Sequence, residues 1–350
     1  MKSLSSALLI IIFVVGAVVT WIAGSALSDA TDVLDRRYNL GEDIGGMVLL
    51  AIAGTLPEIA ITVPAAAGGH LDLAAGNLIG GIAVQTMVLA LCDLAVKGQR
   101  PLSFLVGSLV PVLEAALVIV VLAAVLMGGL LPAHVRIGPV SPASIAIVLA
   151  WFGGIVILRQ VGKAPQWHVE MPGASPGRPH HRRDRPRLLA IQALSEKQPL
   201  LLFAVASALT LAAGVALEVS GNELANRASI NGVIFGATAL SVASALPEIS
   251  SGIAAVRIGD HRLAVGDIFG GNAFQLCLFV VADLLAGKPV LPAAGRLNSW
   301  LAVVGIALTV IFFSGVIIRP SRRFLRLGVD SITATVVFAV GIVGLLGLPQ

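Results

Sequence analysis

The tetrapeptide Leu56-Pro57-Glu58-Ile59 returns 190 residues later as Leu246-Pro247-Glu248-Ile249, and the match runs well beyond these four positions. At that offset, 44–94 and 234–284 are identical at 19 of 51 positions. Gly76, Gly80-Gly81, Ala83, Gln85, Asp93 and Leu94 meet Gly266, Gly270-Gly271, Ala273, Gln275, Asp283 and Leu284. A chain that carries the same segment twice folds as two related units. Their relation to each other depends on what separates them.

Long apolar blocks separate them. The chain is 57% hydrophobic and only 12% charged, with a mean hydropathy of +0.95. A soluble domain carries roughly twice that charge. A helix crosses the hydrocarbon core with about 20 apolar residues, and blocks of that size recur along the whole chain. Ten segments are predicted, at 7–27, 42–68, 72–95, 102–127, 142–160, 199–219, 231–256, 263–285, 298–318 and 327–347. They leave no room for a separate soluble domain, and nothing in the pattern points to nucleic acid. The fold class is therefore an all-α polytopic membrane protein. The matched segments are the second and seventh, and the third and eighth. Five crossings lie between the members of each pair. An odd number reverses direction, so the two five-helix repeats are inverted, as in many secondary transporters.

The first 28 residues have some features of a secretory signal, but the apolar run is long for one and reads as a retained first helix. Cys92 and Cys277 both lie in apolar blocks, where they read as small core residues with no disulfide. One long connection, 161–198, is rich in proline and basic residues and contains His180-His181. It reads as a solvated linker between a first repeat at 1–160 and a second at 199–350. With the N-terminus outside, 18 of the 23 Lys and Arg residues fall on the inner side, leaving Lys2, Arg136, Arg227, Lys288 and Arg296 outside. This asymmetry predicts a cytoplasmic linker in the inner membrane of the cell.

Glu58 and Glu248 stand near the middle of apolar segments, where an ionisable group is costly and usually marks an ion path. Pro57 and Pro247 supply no N–H to the carbonyls of Ala53 and Ala243. Broken backbone at membrane depth persists only where other groups or ions satisfy it. Carbonyls, hydroxyls and carboxylates are the ligands a hard cation prefers. Thr55 and Ser244 offer hydroxyls in the turn before each glutamate. Ser241 lies one turn further back, opposite Ala51. Gln85 and Gln275 offer amide oxygens from the third and eighth segments. The candidate ion-site residues are thus Glu58, Glu248, Thr55, Ser244, Gln85, Gln275, Ala51 and Ser241. Two carboxylates balance one divalent cation, two monovalent ones or two protons. Because an empty, charged site is costly, such a pair favours exchange. All six histidines fall in loops by these spans, which argues against a transition metal. Gly76, Gly80, Gly81 and their matches have the small-residue spacing of close helix packing. Asp93 and Asp283 fall at helix ends and read as structural. Asp267, opposite Asn77, reads as a cap near a helix start. Glu114, whose match is Val304, either relays protons or binds a neighbouring helix.

At these residues the sequence resembles the cation/calcium exchanger superfamily. Gly54-Thr55-Leu56-Pro57-Glu58 and Ser244-Ala245-Leu246-Pro247-Glu248 resemble its Gly-Thr-Ser-Leu-Pro-Glu signature. Gly76-Asn77-x-x-Gly80-Gly81 and Gly266-Asp267-x-x-Gly270-Gly271-Asn272 resemble its second signature, Gly-Asn-x-x-Gly-Ser-Asn-x-x-Asn. The resemblance implies ten helices in two inverted repeats and exchange of Ca2+ for Na+ or H+. It also implies alternating access, with the first and sixth helices sliding past an eight-helix core. Each hydroxyl pair before Leu-Pro-Glu has lost one member here. The serine of the second signature is glycine, and its last residue is Gln85 or Gln275. These departures bear on the ligands that sodium-coupled members use. Glutamine at that position is similar to the proton-coupled branch, so Na+ and H+ both stay open. The runner-up reading is an antiporter of Mg2+, Mn2+, K+ or Na+/H+ on the same fold. The distant one is an intramembrane enzyme using both glutamates. The expected partners are inorganic cations and the bilayer, with no cofactor and no catalytic site.

Overall fold

A computed structural model describes residues 4–38, 44–163, 197–293 and 295–348. Most of the predicted linker, with His180-His181, lies outside the described residues. Among those described, eight helices are long and apolar enough to cross a bilayer, and two bent helix pairs bring the number to ten.

The first half holds α1 (Ser6–Tyr38), the bent pair α2 (Ile44–Gly54) and α3 (Leu56–Ala67), and α4 (Leu71–Ala95). The short α5 (Leu102–Leu105), α6 (Val110–Leu130) and α7 (Pro142–Lys163) complete it. The second half begins with α8 (Lys197–Arg227). Its seventh span joins α9 (Gly232–Phe235), a π-helical turn (Gly236–Leu240), α10 (Ser241–Ser244) and α11 (Leu246–Arg257). Next come α12 (His261–Gln275) with α13 (Leu278–Ala286), α14 (Gly295–Ile318) and α15 (Val329–Gly347). A two-stranded hairpin, β1 (Arg323–Phe324) and β2 (Leu327–Gly328), links the last two spans.

Three boundaries differ most from those the hydropathy predicts, one of them the end of α8, which runs on from 219 to Arg227. α1 continues past residue 27 to Tyr38. Charge ends an apolar run there but does not end a helix, and 26–38 contain neither glycine nor proline. α6 begins at Val110 and not at 102, because Gly107 takes a left-handed φ of +57° and Pro111 opens the new helix.

The packing repeats itself across the two halves. α1 pairs with α8; α8 packs on α3, and α1 packs on α11. α6 packs on α12, and its counterpart α14 packs on α4. α6 contacts α7 as α14 contacts α15. Span α4 is the centre: 72% of its apolar window is buried inside the protein, against 28% for α1 and α8 and 22% for α7. The outer helices turn residues such as Ile22 and Val343 outward to lipid. Lipid tails are as apolar as leucine, so close packing and polar contacts hold the spans together.

Two buried carboxylates tie the halves to each other. Asp93, near the end of α4, accepts from the backbone N–H of Leu102 (2.8 Å), that of Gly328 (2.6 Å) and the Ser331 hydroxyl (2.8 Å). Asp283, near the end of α13, accepts from the N–H of Val290 (2.6 Å), that of Ser141 (2.9 Å) and the Ser144 hydroxyl (2.7 Å). Each aspartate therefore caps the start of a span in the other half, satisfying orphan donors there. The helix-terminal role expected of both residues is met.

Candidate functional site

Both Leu-Pro-Glu turns break their spans. Thr55 interrupts the second span between α2 and α3, which diverge by 73°. Ala245 interrupts the seventh, where the bend is 46°. The seventh span also takes up a π-helical turn, closed by the Ser241 hydroxyl donating to Gly236 O at 2.7 Å. Single π turns inside helices often accompany functional sites. Close approach to α4 makes this turn possible. A Cβ on Gly80 would meet the Ala237 side chain at 2.3 Å, and one on Gly76 would meet Val233 O at 2.5 Å.

The repeat-matched glutamates meet different surroundings. Glu58 is fully buried, and its Oε1 accepts from Gln85 Nε2 at 2.8 Å. The Ser244 hydroxyl lies beside the same carboxylate. Glu248 is near enough to Glu58 for their charges to interact, but it faces a cavity of about 340 Å³. Of the eight predicted residues, Ala51, Thr55, Gln85 and Glu248 line this cavity. Glu58, Ser241, Ser244 and Gln275 are buried behind it. Gln275 donates to Leu78 O at 2.8 Å on α4. Thr55 donates to Ala51 O from both its backbone N–H (3.1 Å) and its hydroxyl (2.9 Å), so that carbonyl is already taken.

Several oxygens in this layer have no donor. Glu58 Oε2, Glu248 Oε2, Gln275 Oε1 and Asn272 Oδ1 are buried acceptors without a hydrogen-bond partner among the described residues. The side chains of Glu58, Asn272 and Gln275 all engage α4 between Leu78 and Thr86. One donor, Asn77 Nδ2, is unpaired among the described residues on the stretch of α4 that Gln275 touches. Buried polar atoms left unpaired are uncommon and costly, and the four oxygens have the chemistry of a hard-cation site.

Asp32, Asp35, Glu114 and Asp267 line the cavity together with Glu248. Sequence reasoning singled out Glu114, with a proton relay as one of two roles, and gave Asp267 another role, but it missed the two aspartates. The capping role expected of Asp267 and Asn77 is not observed. α12 starts at His261 with Asp260 as its cap, and α4 starts at Leu71, so both residues lie well inside their helices. Asp29, Asp32 and Asp35 recur every third residue on the continuation of α1. That one-sided spacing was the signal for an acidic face. Gly24 and Gly214, also 190 residues apart, were a second missed signal. A Cβ on Gly24 would meet Pro247 Cγ at 2.5 Å, and one on Gly214 would meet the Ala60 side chain at 2.2 Å.

The two sides of the site are not equivalent. Around Gly76 and Gly80 the helices are in tight contact, whereas a Cβ on Gly270 or Gly271 would meet nothing within 4 Å. The cavity therefore opens past the N-terminal half of α12 and the C-terminal end of α1. On the closed side, His70 Nδ1 lies 2.7 Å from buried Glu218 Oε1, and Asn222 Nδ2 lies 3.1 Å from His70 Nε2. These contacts join the α3–α4 loop to α8.

Ten spans in two inverted repeats, with a broken helix in each and paired carboxylates where they meet, define a membrane transporter. The chain belongs to the sodium/calcium exchanger protein family, whose profile matches residues 8–160 and 198–348. This is a family of transporters and not of enzymes. Over 290 residues the chain is 28% identical to the inner membrane protein YrbG of Escherichia coli (strain K12), covering 82% of this chain and 81% of that protein. Its fold is similar to that of the H+/Ca2+ exchanger CAX, with a TM-score of 0.70 and 16% identity over 98% of this chain and 82% of that one. The sodium-calcium exchanger NCX_Mj is also similar, with a TM-score of 0.60 and 14% identity over 98% of this chain and 99% of that one.

Proposed function

We propose that the protein is a Ca2+ antiporter that exchanges Ca2+ for Na+ or H+, with Glu58 and Glu248 as the carboxylates that balance the ion. The observation that carries this reading is the layer of buried oxygens without donors, led by Glu58 Oε2 and Glu248 Oε2. Gln275 and Asn272 add neutral oxygens, and Thr55 and Ser244 add hydroxyls beside the glutamates. Two carboxylates leave a single Ca2+ electrically balanced. They can be discharged equally by two Na+ ions or two protons, so emptying the site without a replacement is unfavourable. The oxygen-only donor set favours Ca2+ over a transition metal. The folds shared with CAX and NCX_Mj, both calcium exchangers by name, support the same cargo.

The two halves, 1–160 and 199–350, act as the two repeats, joined by the basic linker at 161–198. The N-terminus lies outside and the linker lies in the cytoplasm. The cavity beside Glu248 then opens inward, and its carboxylates Asp32, Asp35, Glu114 and Asp267 concentrate cations at the inner mouth. Alternating access follows if α1 and α8 move against the other spans, opening the side now closed at His70.

Equilibrium binding of radiolabelled Ca2+ to detergent-purified protein tests the site. The reading expects saturable binding that Na+ or acid displaces and that Glu58→Gln and Glu248→Gln each weaken. Binding that is absent in the wild type, or unchanged in both variants, would sink it.

A further inference from the structure

The link between the last two spans is a rigid hairpin that presents apolar and basic side chains at the end of a membrane span. β1 and β2 pair Arg323 with Gly328 and Phe324 with Leu327, leaving Leu325-Arg326 as a two-residue turn. Both turn residues have positive φ, +51° at Leu325 and +69° at Arg326. That geometry normally selects Asn-Gly, since at positive φ the Cβ of most residues crowds the following carbonyl oxygen. The strain cannot relax by lifting the hairpin off, because Arg323 clamps it down. The Arg323 guanidinium donates to the carbonyls of Asp93 (2.6 Å), Gly98 (3.0 Å) and Val96 (3.2 Å), and also to that of Arg326.

The tip is held outward with Phe324 67% and Leu325 78% exposed, and Ile318, the last residue of α14, is 75% exposed. Further arginines stand on the hairpin link and just after the Val96–Gly98 segment that Arg323 holds. Arg100 and Arg319 both lie over the Phe104 ring, at 4.3 and 4.5 Å from its centroid. Arg319 also donates to Phe104 O at 2.8 Å. Arg322 and Arg326 are exposed beside the tip. No carboxylate pairs with any of these four arginines among the described residues. Like charges gathered on one surface repel, and the shared aromatic ring offsets only part of that.

We infer that this surface binds the headgroup of an anionic phospholipid. Arg100 and Arg319 face the phosphate, Arg322 and Arg326 supply further positive charge, and Phe324 and Leu325 insert among the first acyl carbons. The Arg100 guanidinium offers phosphate paired N–H donors, whereas Arg319, whose Nε and Nη2 both donate to Phe104 O, contributes Nη1 and its charge. Basic pockets between spans at a membrane face have this use elsewhere. The placement follows from topology alone: only ten residues separate Ile318 at the end of α14 from Val329 at the start of α15. The inference does not depend on which ion the protein carries.

Purified protein would be melted in detergent with added phosphatidylglycerol, with phosphatidylcholine or with inorganic phosphate. Lipid retained after delipidation would be counted by native mass spectrometry. The expected result is stabilisation by phosphatidylglycerol alone, with lipid retention reduced at least threefold in Arg100→Gln/Arg322→Gln/Arg326→Gln. A second variant, Leu325→Asn with Arg326→Gly, suits the turn. It should melt no lower than wild type in plain detergent and still lose most of the phosphatidylglycerol effect. Equal stabilisation by phosphatidylcholine or by inorganic phosphate would overturn the inference, as would full retention of phosphatidylglycerol in the variants.

Discussion

At the two Leu-Pro-Glu turns, identical residues are held in different states. Glu58 is sealed, with one carboxylate oxygen held by Gln85, while Glu248 looks into the cavity. In Glu248→Cys and Glu58→Cys, each made with Cys92 and Cys277 replaced by alanine, a polar thiol reagent should therefore modify residue 248 several-fold faster than residue 58. Equal rates would show that this conformation is not the resting one. Removing one member of a buried charge pair typically costs about 2–5 kcal/mol, and each 1.4 kcal/mol is about tenfold in affinity. Glu58→Gln should then weaken Ca2+ binding by at least about tenfold, read by isothermal titration. The caps carry a separate prediction. Asp93→Asn and Asp283→Asn each remove a charged acceptor of three hydrogen bonds, where one such bond contributes about 1.5–3 kcal/mol. Both variants should unfold at lower temperature in detergent, whereas Ser331→Ala, which removes one donor, should have a smaller effect.

Among the elements, α1 and α8 differ from the rest. They pair with each other and touch the broken spans through Gly24 on Pro247 and Gly214 on Ala60. These contacts are the points at which α1 and α8 would have to slide. Overpacking a tight contact typically costs about 1–3 kcal/mol. Gly24→Ala and Gly214→Ala should slow Ca2+ flux in vesicles more than they weaken Ca2+ binding in detergent. A parallel loss of both would mean that the glycines serve folding and not motion. The π-helical turn in the seventh span has no counterpart in the second, which bends more sharply instead. Identical turn residues thus produce two backbones, because Gly76 and Gly80 let the seventh span approach α4 on the closed side.

For the molecule as a whole, the ten spans, their inversion and the paired glutamates were legible in the sequence. The apolar blocks, the 190-residue offset and the two prolines each leave a local signature there. The open side was not legible, since Gly80-Gly81 and Gly270-Gly271 are equivalent as letters and differ only in whether another residue packs against them. The acidic cavity wall was obscured for a different reason. Charge at Asp29, Asp32 and Asp35 ends an apolar segment by composition, although the helix runs on to Tyr38. The third miss, the capping role assigned to Asp267, did not come from the boundary, because the predicted start at 263 lies within two residues of His261 and already puts Asp267 a full turn inside the helix.

Coupled exchange through one site is the central claim, and radiolabelled Ca2+ uptake into proteoliposomes tests it most directly. The membrane potential would be clamped, and either a Na+ or a H+ gradient imposed. Uptake driven by one of these gradients and abolished in Glu58→Gln and in Glu248→Gln is the predicted result. Uptake that proceeds without either gradient, or that survives both substitutions, would contradict the account.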